Sequence, residues 1–244
     1  MQEQRNPASL PPIIQGGMGV GISDWRLARA VSMAGQLGVV SGTAIDTVLV
    51  RRLQDGDPGG HMRRAMAAFP VPGVAETTLQ RYFLPKGRPA GTPYKLLTVC
   101  RKGMPSRREQ VLMLAAFVEV FLAREGHDGI VGMNLLTKIQ IPNLATLYGA
   151  MLAGVDVILM GAGIPREIPL ALDRLARHEV ASLRFEVDGL PAGVEERLEF
   201  DPMRHWAWAP DPLRRPQFLA IIASNSLATM LARRATSRRV GPES

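Results

Sequence analysis

Hydrophobic positions along this chain follow two rhythms. Short apolar runs that close on glycine or a small polar residue alternate with longer stretches in which apolar residues return every three or four positions. The first run, PIIQGGMGVG at 12–21, dissolves into four glycines within six positions. A helix signal stands directly behind it. Ser23 reads as the N-cap, and Asp24 sits where the helix dipole favours negative charge. Leu27, Ala30, Val31 and Ala34 recur at helical spacing, and Gly35 is a natural stop. Residues 37–40 are apolar without the polar alternation of a strand that has one wet face, which predicts a strand covered on both sides. MAGQLGVVSG at 33–42 is echoed by LAGVDVILMG at 152–161, and two further apolar runs, IVGMNLL from Ile130 and FLAIIAS from Phe218, each lead into a helix-like segment. Such alternation predicts a parallel sheet with right-handed crossovers.

Two stretches interrupt the series. Residues 46–129 are too long for an ordinary strand-to-helix connection. They hold the loops DGDPGG and KGRPAGTP around helical pieces near 61–69 and 77–83. A longer helix over 106–124 places Val111, Leu114, Ala115, Val118 and Leu122 on one face. The second stretch, 182–212, contains a strand-like SLRFEV and the tryptophan-rich RHWAWAP. Both read as elaborations of one domain spanning 1–244, since a second domain would need its own continuous core.

Composition narrows the class. With 46% hydrophobic and 21% charged residues, and a mean hydropathy of +0.04, the 244 residues have enough apolar material for an ordinary core, which argues against disorder. The formal net charge of +7 is spread over many segments, and only Arg233, Arg234, Arg238 and Arg239 are dense. No nucleic-acid reader motif or aromatic-interleaved basic patch accompanies it, so no nucleic-acid partner is expected. The single cysteine, Cys100, excludes an internal disulfide and fits a reducing compartment. No run reaches the roughly 18 apolar residues of a membrane span. The polar start MQEQRNP lacks a secretory pattern, so the cytoplasm is the expected location.

The glycine run poses the functional question. The dinucleotide fingerprint G-x-G-x-x-G fails, because from Gly17 or Gly19 its last position falls on Ile22 or Asp24. A phosphate loop fails for want of a following Gly-Lys-Ser/Thr. Glycines at the C-terminal end of a parallel strand still let bare backbone approach a flat ligand, beside the polarizable Met18, where α/β folds place their ligands. Gly16, Gly17, Met18 and Gly19 thus read either as a platform for a planar cofactor or as a tight turn with a core methionine.

The stretch PIIQGGMGVGISDWRLARAVSMAGQLGVVSG resembles the opening of the nitronate monooxygenase family, also called 2-nitropropane dioxygenases. GMNLL at 132–136 resembles that family's third-strand G-x-N motif, and AGVDVILMGAGIPREIP its fourth strand and following loop. The resemblance runs from about 12 to 239 and suits a longer branch of the family. It implies an α/β fold of the (β/α)8 TIM-barrel type, with FMN lying across the barrel mouth. On that footing Gly17, Met18 and Gly19 form the turn against the isoalloxazine ring, Asn134 hydrogen-bonds the flavin, and Met160, Gly161 and Ser224 sit on the same rim. Without the resemblance, Asn134 could equally satisfy a loop backbone. The implied activity is oxidation of an alkyl nitronate by electron transfer to flavin, which oxygen then reoxidises. Flavin-dependent enoyl reductases are the nearest alternative.

Several family features have no counterpart. About five of eight barrel strands can be counted, at Ile13, Leu37, Ile130, Val155 and Phe218. The loops after strands seven and eight, which usually hold FMN phosphate, and the family's A-G-G-H histidine motif are missing. Gly59, Gly60 and His61 spell a tempting substitute in the wrong place. His127, His178 and His205 match no family motif and read as surface or satisfied histidines, so no catalytic residue is assigned. Glu119 and Glu125 lie on or near one helix without a histidine partner, and no metal is expected. Open sheet edges would favour association, including homo-oligomers, and a catalytically incomplete fragment that retains flavin weakly is the second expectation.

Overall fold

A computed structural model describes residues 10–17, 19–189, 191, 193–208, 210–222, 224–226 and 229. Met18 and the cluster Arg233, Arg234, Arg238 and Arg239 lie outside them. In chain order, α1 (Trp25–Met33) leads to β1 (Gly38–Ser41) and α2 (Ile45–Gln54). The short helices α3 (His61–Ala67) and α4 (Val74–Tyr82) and the long α5 (Ser106–Arg124) follow. Then come β2 (Val131–Leu136), α6 (Asn143–Leu152), β3 (Val157–Gly161), α7 (Ile168–Ala176), the strands β4 (Ala181–Phe185) and β5 (Glu196–Phe200), and β6 (Gln217–Ala220). The described residues form a mixed α/β structure in which β1, β2, β3 and β6 lie side by side, every neighbour parallel, while β4 and β5 make a separate antiparallel hairpin.

Register sorts the side chains into two faces. Ser41 lies opposite Asn134, Asn134 opposite Leu159, and Leu159 opposite Leu219. Because successive strand residues point to opposite faces, Val40, Met133, Leu135, Ile158 and Met160 share the other face, where they merge with the helices into the main core. Leu37, Val39, Val157 and Leu159 form a second, smaller cluster. Asn134 belongs to that second face, away from the helices.

Four expectations are corrected. The run at Ile13 is not a full strand: Ile14 makes an isolated parallel bridge to Leu37. The N-cap of α1 is Asp24, which accepts from the Arg26 and Leu27 amides, not Ser23. The buried face of α1 is Trp25, Ala28 and Ser32, whereas Leu27 is exposed. Close approach explains this last shift. A Cβ on Gly38 would stand 2.6 Å from Ser32 Oγ and nearer still to the Ala28 carbonyl, so α1 lies against β1 on its small residues, and the larger Leu27 is turned outward. Finally, α5 buries more than one face. Leu112, Met113, Ala116, Phe117, Val120 and Ala123 are also buried, because α2, α3 and α4 cover the side that α1 and α6 leave open. A helix apolar all round is a core helix.

The second inserted stretch is the hairpin. Leu183 pairs with Leu198 and Phe185 with Glu196, and its Phe200 ring lies 5.6 Å from that of Tyr148 on α6.

Candidate functional site

The glycine turn is held from both sides. Gln15 N donates to Leu37 O (3.0 Å), and Leu37 N to Ile13 O (3.1 Å). There the main chain leaves the sheet and the Gln15 side chain replaces it. Nε2 donates to Val39 O (3.0 Å) and Oε1 accepts from Val39 N (3.1 Å), so the amide stands in for the missing peptide unit. On the far side of the turn, buried Ser23 donates from Oγ to Gly16 O (3.3 Å), and its carbonyl accepts from Ser41 N (2.8 Å). The turn is therefore fixed to the C-terminal half of β1 before any ligand is considered.

That anchoring brings two distant sequence motifs into contact. A Cβ on Gly17 would fall 2.5 Å from Asn134 Cγ and closer to its Cβ and Nδ2. Glycine is thus needed at 17 because Asn134 occupies the space a side chain would take. At Gly16 and Gly19 a Cβ would meet nothing within 4 Å, which leaves open space beside the turn. Asn134 is 8% exposed. Its carbonyl accepts from Gly42 N (2.8 Å), but its side-chain amide makes no hydrogen bond among the described residues. The amide is thus free to pair at the open edge of the turn.

The other sequence-predicted residues fall differently. Met160 is fully buried on the helix-facing side of β3, so its side chain is on the face opposite Asn134, and its carbonyl accepts from Ile221 N (2.8 Å). Gly161 is buried, and a Cβ there would stand 2.9 Å from Ile221 Cβ. Its carbonyl accepts from both Thr137 N (2.8 Å) and Thr137 Oγ1 (2.9 Å). Ser224 is exposed and lies beyond the end of β6 at Ala220. Met18 is outside the described residues. The structure therefore joins Gly17 to Asn134 and leaves Met160 on the other side of the sheet.

None of the four histidines is at this corner. His61 rests on the Trp25 ring at 5.1 Å, with Arg64 Nη2 3.2 Å from its Nδ1. His127 Nε2 donates to Ala123 O (2.6 Å), and its Nδ1 accepts from Gly129 N (3.0 Å). His178 Nε2 donates to Asp211 O (2.8 Å), which leaves Nδ1 to accept from Tyr148 Oη (2.7 Å); that phenol in turn accepts from Trp206 Nε1 (2.7 Å). Burial pushes the Tyr148 hydroxyl up to about 12. His205 differs from the other three. It is buried against Phe200, and neither ring nitrogen has a hydrogen-bond partner, although Nε2 is 3.3 Å from Glu109 Oε2.

Glu119 on α5 and Glu125, just past its C-terminal end, are held by arginines. Glu119 accepts from Trp25 N (2.8 Å) and pairs with Arg52; burial pushes its carboxyl up, against the pull of Arg52. Glu125 makes two 2.8 Å contacts with Arg64, which lowers its carboxyl.

Sequence reasoning missed three features here. Gln15 and Ser23 act through main-chain partners about twenty residues away or at the turn itself, and carry no local pattern. The loops after β1 and β3 also hold alanines at positive φ, Ala44 (51°) and Ala162 (57°), a conformation that an alanine rarely adopts without being held there. Set against models of known protein families and against curated proteins, the chain matches none.

Proposed function

We propose that the chain binds FMN at the C-terminal ends of its parallel strands and acts as an oxidoreductase of the nitronate monooxygenase type, on an alkyl nitronate with molecular oxygen. The observation that carries this reading is the Asn134 amide, nearly buried, pressed against the glycine turn and without a hydrogen-bond partner among the described residues. An amide in that state can pair with a ligand without first giving up a protein hydrogen bond. The polar edge of an isoalloxazine ring, with carbonyl and ring nitrogen groups side by side, matches an amide that both donates and accepts.

Sheet order supports a barrel over a doubly wound fold. The strands follow chain order across the sheet and the helices cover one face, whereas a doubly wound sheet carries helices on both. On this reading Gly17 and Gly19 let main chain approach the ring and Asn134 fixes its polar edge. Met160 is left as a core residue, and Gly161 contributes through main chain alone. When bound, the flavin supplies the redox chemistry, taking electrons from the nitronate and passing them to oxygen. The residues of this chain bind and orient it.

The test is a fluorescence titration of FMN with the purified chain, followed by a nitronate oxidation assay. Asn134→Ala is expected to weaken FMN binding about ten-fold, the worth of one hydrogen bond in a partly enclosed site. His61→Ala, in the helical layer, should leave it unchanged. Equal effects of the two substitutions would refute the assignment.

A further inference from the structure

Next to the Asn134 corner, a cleft of about 490 Å³ opens between the loop that joins β1 to α2 and the loop that joins β2 to α6. Three features of its wall converge on negative charge. Arg108 on α5, 8% exposed, donates from Nε to Thr98 O (2.8 Å) and pairs through Nη2 with Asp46, while its buried Nη1 has no partner. Lys138 is exposed and makes no ion pair among the described residues. The ten-residue helix α2 begins at the cleft without a side-chain cap, its N-cap Ala44 being left-handed. Asp46 takes the Thr47 amide of the first turn, and the helix dipole with the amides ahead of it favours an anion.

One carboxylate, Asp46, is in the same wall, and both of its oxygens are engaged, Oδ2 by Arg108 and Oδ1 by Thr47 N (2.7 Å). Two cations therefore face one carboxylate that is already committed. The rest of the lining is apolar, with Leu112, Ile141, Pro142 and Phe185. The volume is in the range that holds small organic ligands rather than a bare ion.

We propose that this cleft binds a small organic oxyanion, a carboxylate or a phosphate ester with an apolar body, whose head group lies against the Arg108 guanidinium, Lys138 and the start of α2. The site uses none of Gly17, Gly19 or Asn134, and it stands whether or not FMN binds.

Cys100 also lines the cleft and is the only cysteine of the chain, so its alkylation reports occupancy at this wall. Burial raises its thiol, and labelling with iodoacetamide is therefore run at alkaline pH on the full chain. Phenyl phosphate and phenylacetate serve as probes, with benzyl alcohol as the neutral control. The anions are expected to slow Cys100 alkylation and the alcohol is not; the more protective anion identifies phosphate ester or carboxylate as the preferred head group. Lys138→Gln, at an exposed and unpaired position, should raise the half-protecting concentration at least about three-fold. Arg108→Lys, which keeps a charge beside Asp46 but loses the planar fork, should raise it about ten-fold. Benzyl alcohol protecting as well as the anions, or unchanged protection in Lys138→Gln, would overturn the proposal. Those two arms decide it even where Arg108→Lys does not fold.

Discussion

Gly17→Ala isolates the contact on which the candidate site rests. The backbone at 17 is not left-handed, so alanine is allowed there conformationally, and any cost comes from the added methyl. That methyl would lie 2.5 Å from Asn134 Cγ and closer to Asn134 Cβ, whereas carbon atoms in contact prefer about 3.5–4.0 Å. Either Asn134 or the turn must move by roughly an ångström, and the turn is tied by Gln15 to Val39 and by Ser23 to Gly16 and Ser41. Overpacking of this kind costs about 1–3 kcal/mol. In urea this is a midpoint shift of about 1 M. Gly16→Ala and Gly19→Ala, where the methyl meets nothing, should be neutral or stabilising by up to about 1 kcal/mol through the unfolded chain. The geometry also specifies the rescue. Because the clash includes Cβ of Asn134, Asn134→Ala should leave the cost of Gly17→Ala nearly intact, while Asn134→Gly should remove most of it in a double-mutant cycle. If Gly17→Ala behaves like Gly16→Ala, or Asn134→Ala relieves it as fully as Asn134→Gly, the packing of the turn on this strand is wrong.

Other parts of the structure yield further expectations. Carboxyl titrations followed by NMR should place Glu119 above and Glu125 below the usual glutamate value of about 4.3, since burial raises the first and Arg64 lowers the second. By linkage, the contribution of Glu119 is fully present below about 4.3 and declines as pH rises through its folded value, while that of Glu125 is present above about 4.3 and is lost as pH falls. Glu119→Gln and Glu125→Gln should flatten opposite limbs of the stability profile, and limbs of the same sign would contradict the assignment. Asp156 accepts from Val131 N (2.9 Å) and Arg214 Nη2 (2.6 Å) and pairs with Arg124; Asp156→Asn should cost about 2–4 kcal/mol, and a loss below roughly 0.5 kcal/mol, the size of an ordinary surface substitution, would refute its role as a hub. Tyr148→Phe leaves Trp206 Nε1 and His178 Nδ1 without a shared partner and should cost about 1–3 kcal/mol. Tyr148 should ionise near about 12 in an ultraviolet titration, a step that Tyr148→Phe removes.

How much of this was legible in the sequence depended on how local each cause is. The runs at Leu37, Ile130, Val155 and Phe218 became β1, β2, β3 and β6 within about two residues, because a buried parallel strand bounded by glycine is written in adjacent positions. The Ile13 run was overread, since its apolar residues are right for a strand but Gln15 closes the ladder with a side chain. The phase of α1 was misjudged because Leu27 is the more hydrophobic choice and only the closeness of Gly38 excludes it from the interface. The second half of the inserted hairpin, β5 as ERLEF, has two glutamates and an arginine in five residues and carries no strand pattern; pairing with β4 and the packing of Phe200 on Tyr148 make it a strand. At the candidate site, Gly17 and Asn134 were each visible, but their contact was not, being a consequence of register across 117 positions.

The C-terminal ends of the sheet hold groups in costly states, which supports reading a ligand site there. At the N-terminal ends the buried charges are consumed in holding strands together. Asp156 receives Val131 N, Arg124 and Arg214, its own carbonyl takes Gln217 N (2.9 Å), and Ser32 Oγ donates to Ile130 O (2.6 Å). At the C-terminal ends the chain holds groups in states that cost energy and close no strand pair: Ala44 and Ala162 at positive φ, and Arg108 Nη1 without an acceptor. A left-handed alanine and a buried unpaired polar group each cost on the order of 1–3 kcal/mol. Ala44, Ala162 and Arg108 bring such costs to the rim where parallel sheets place their binding sites, while His178 (58°) and the unpartnered His205 ring carry similar costs away from it.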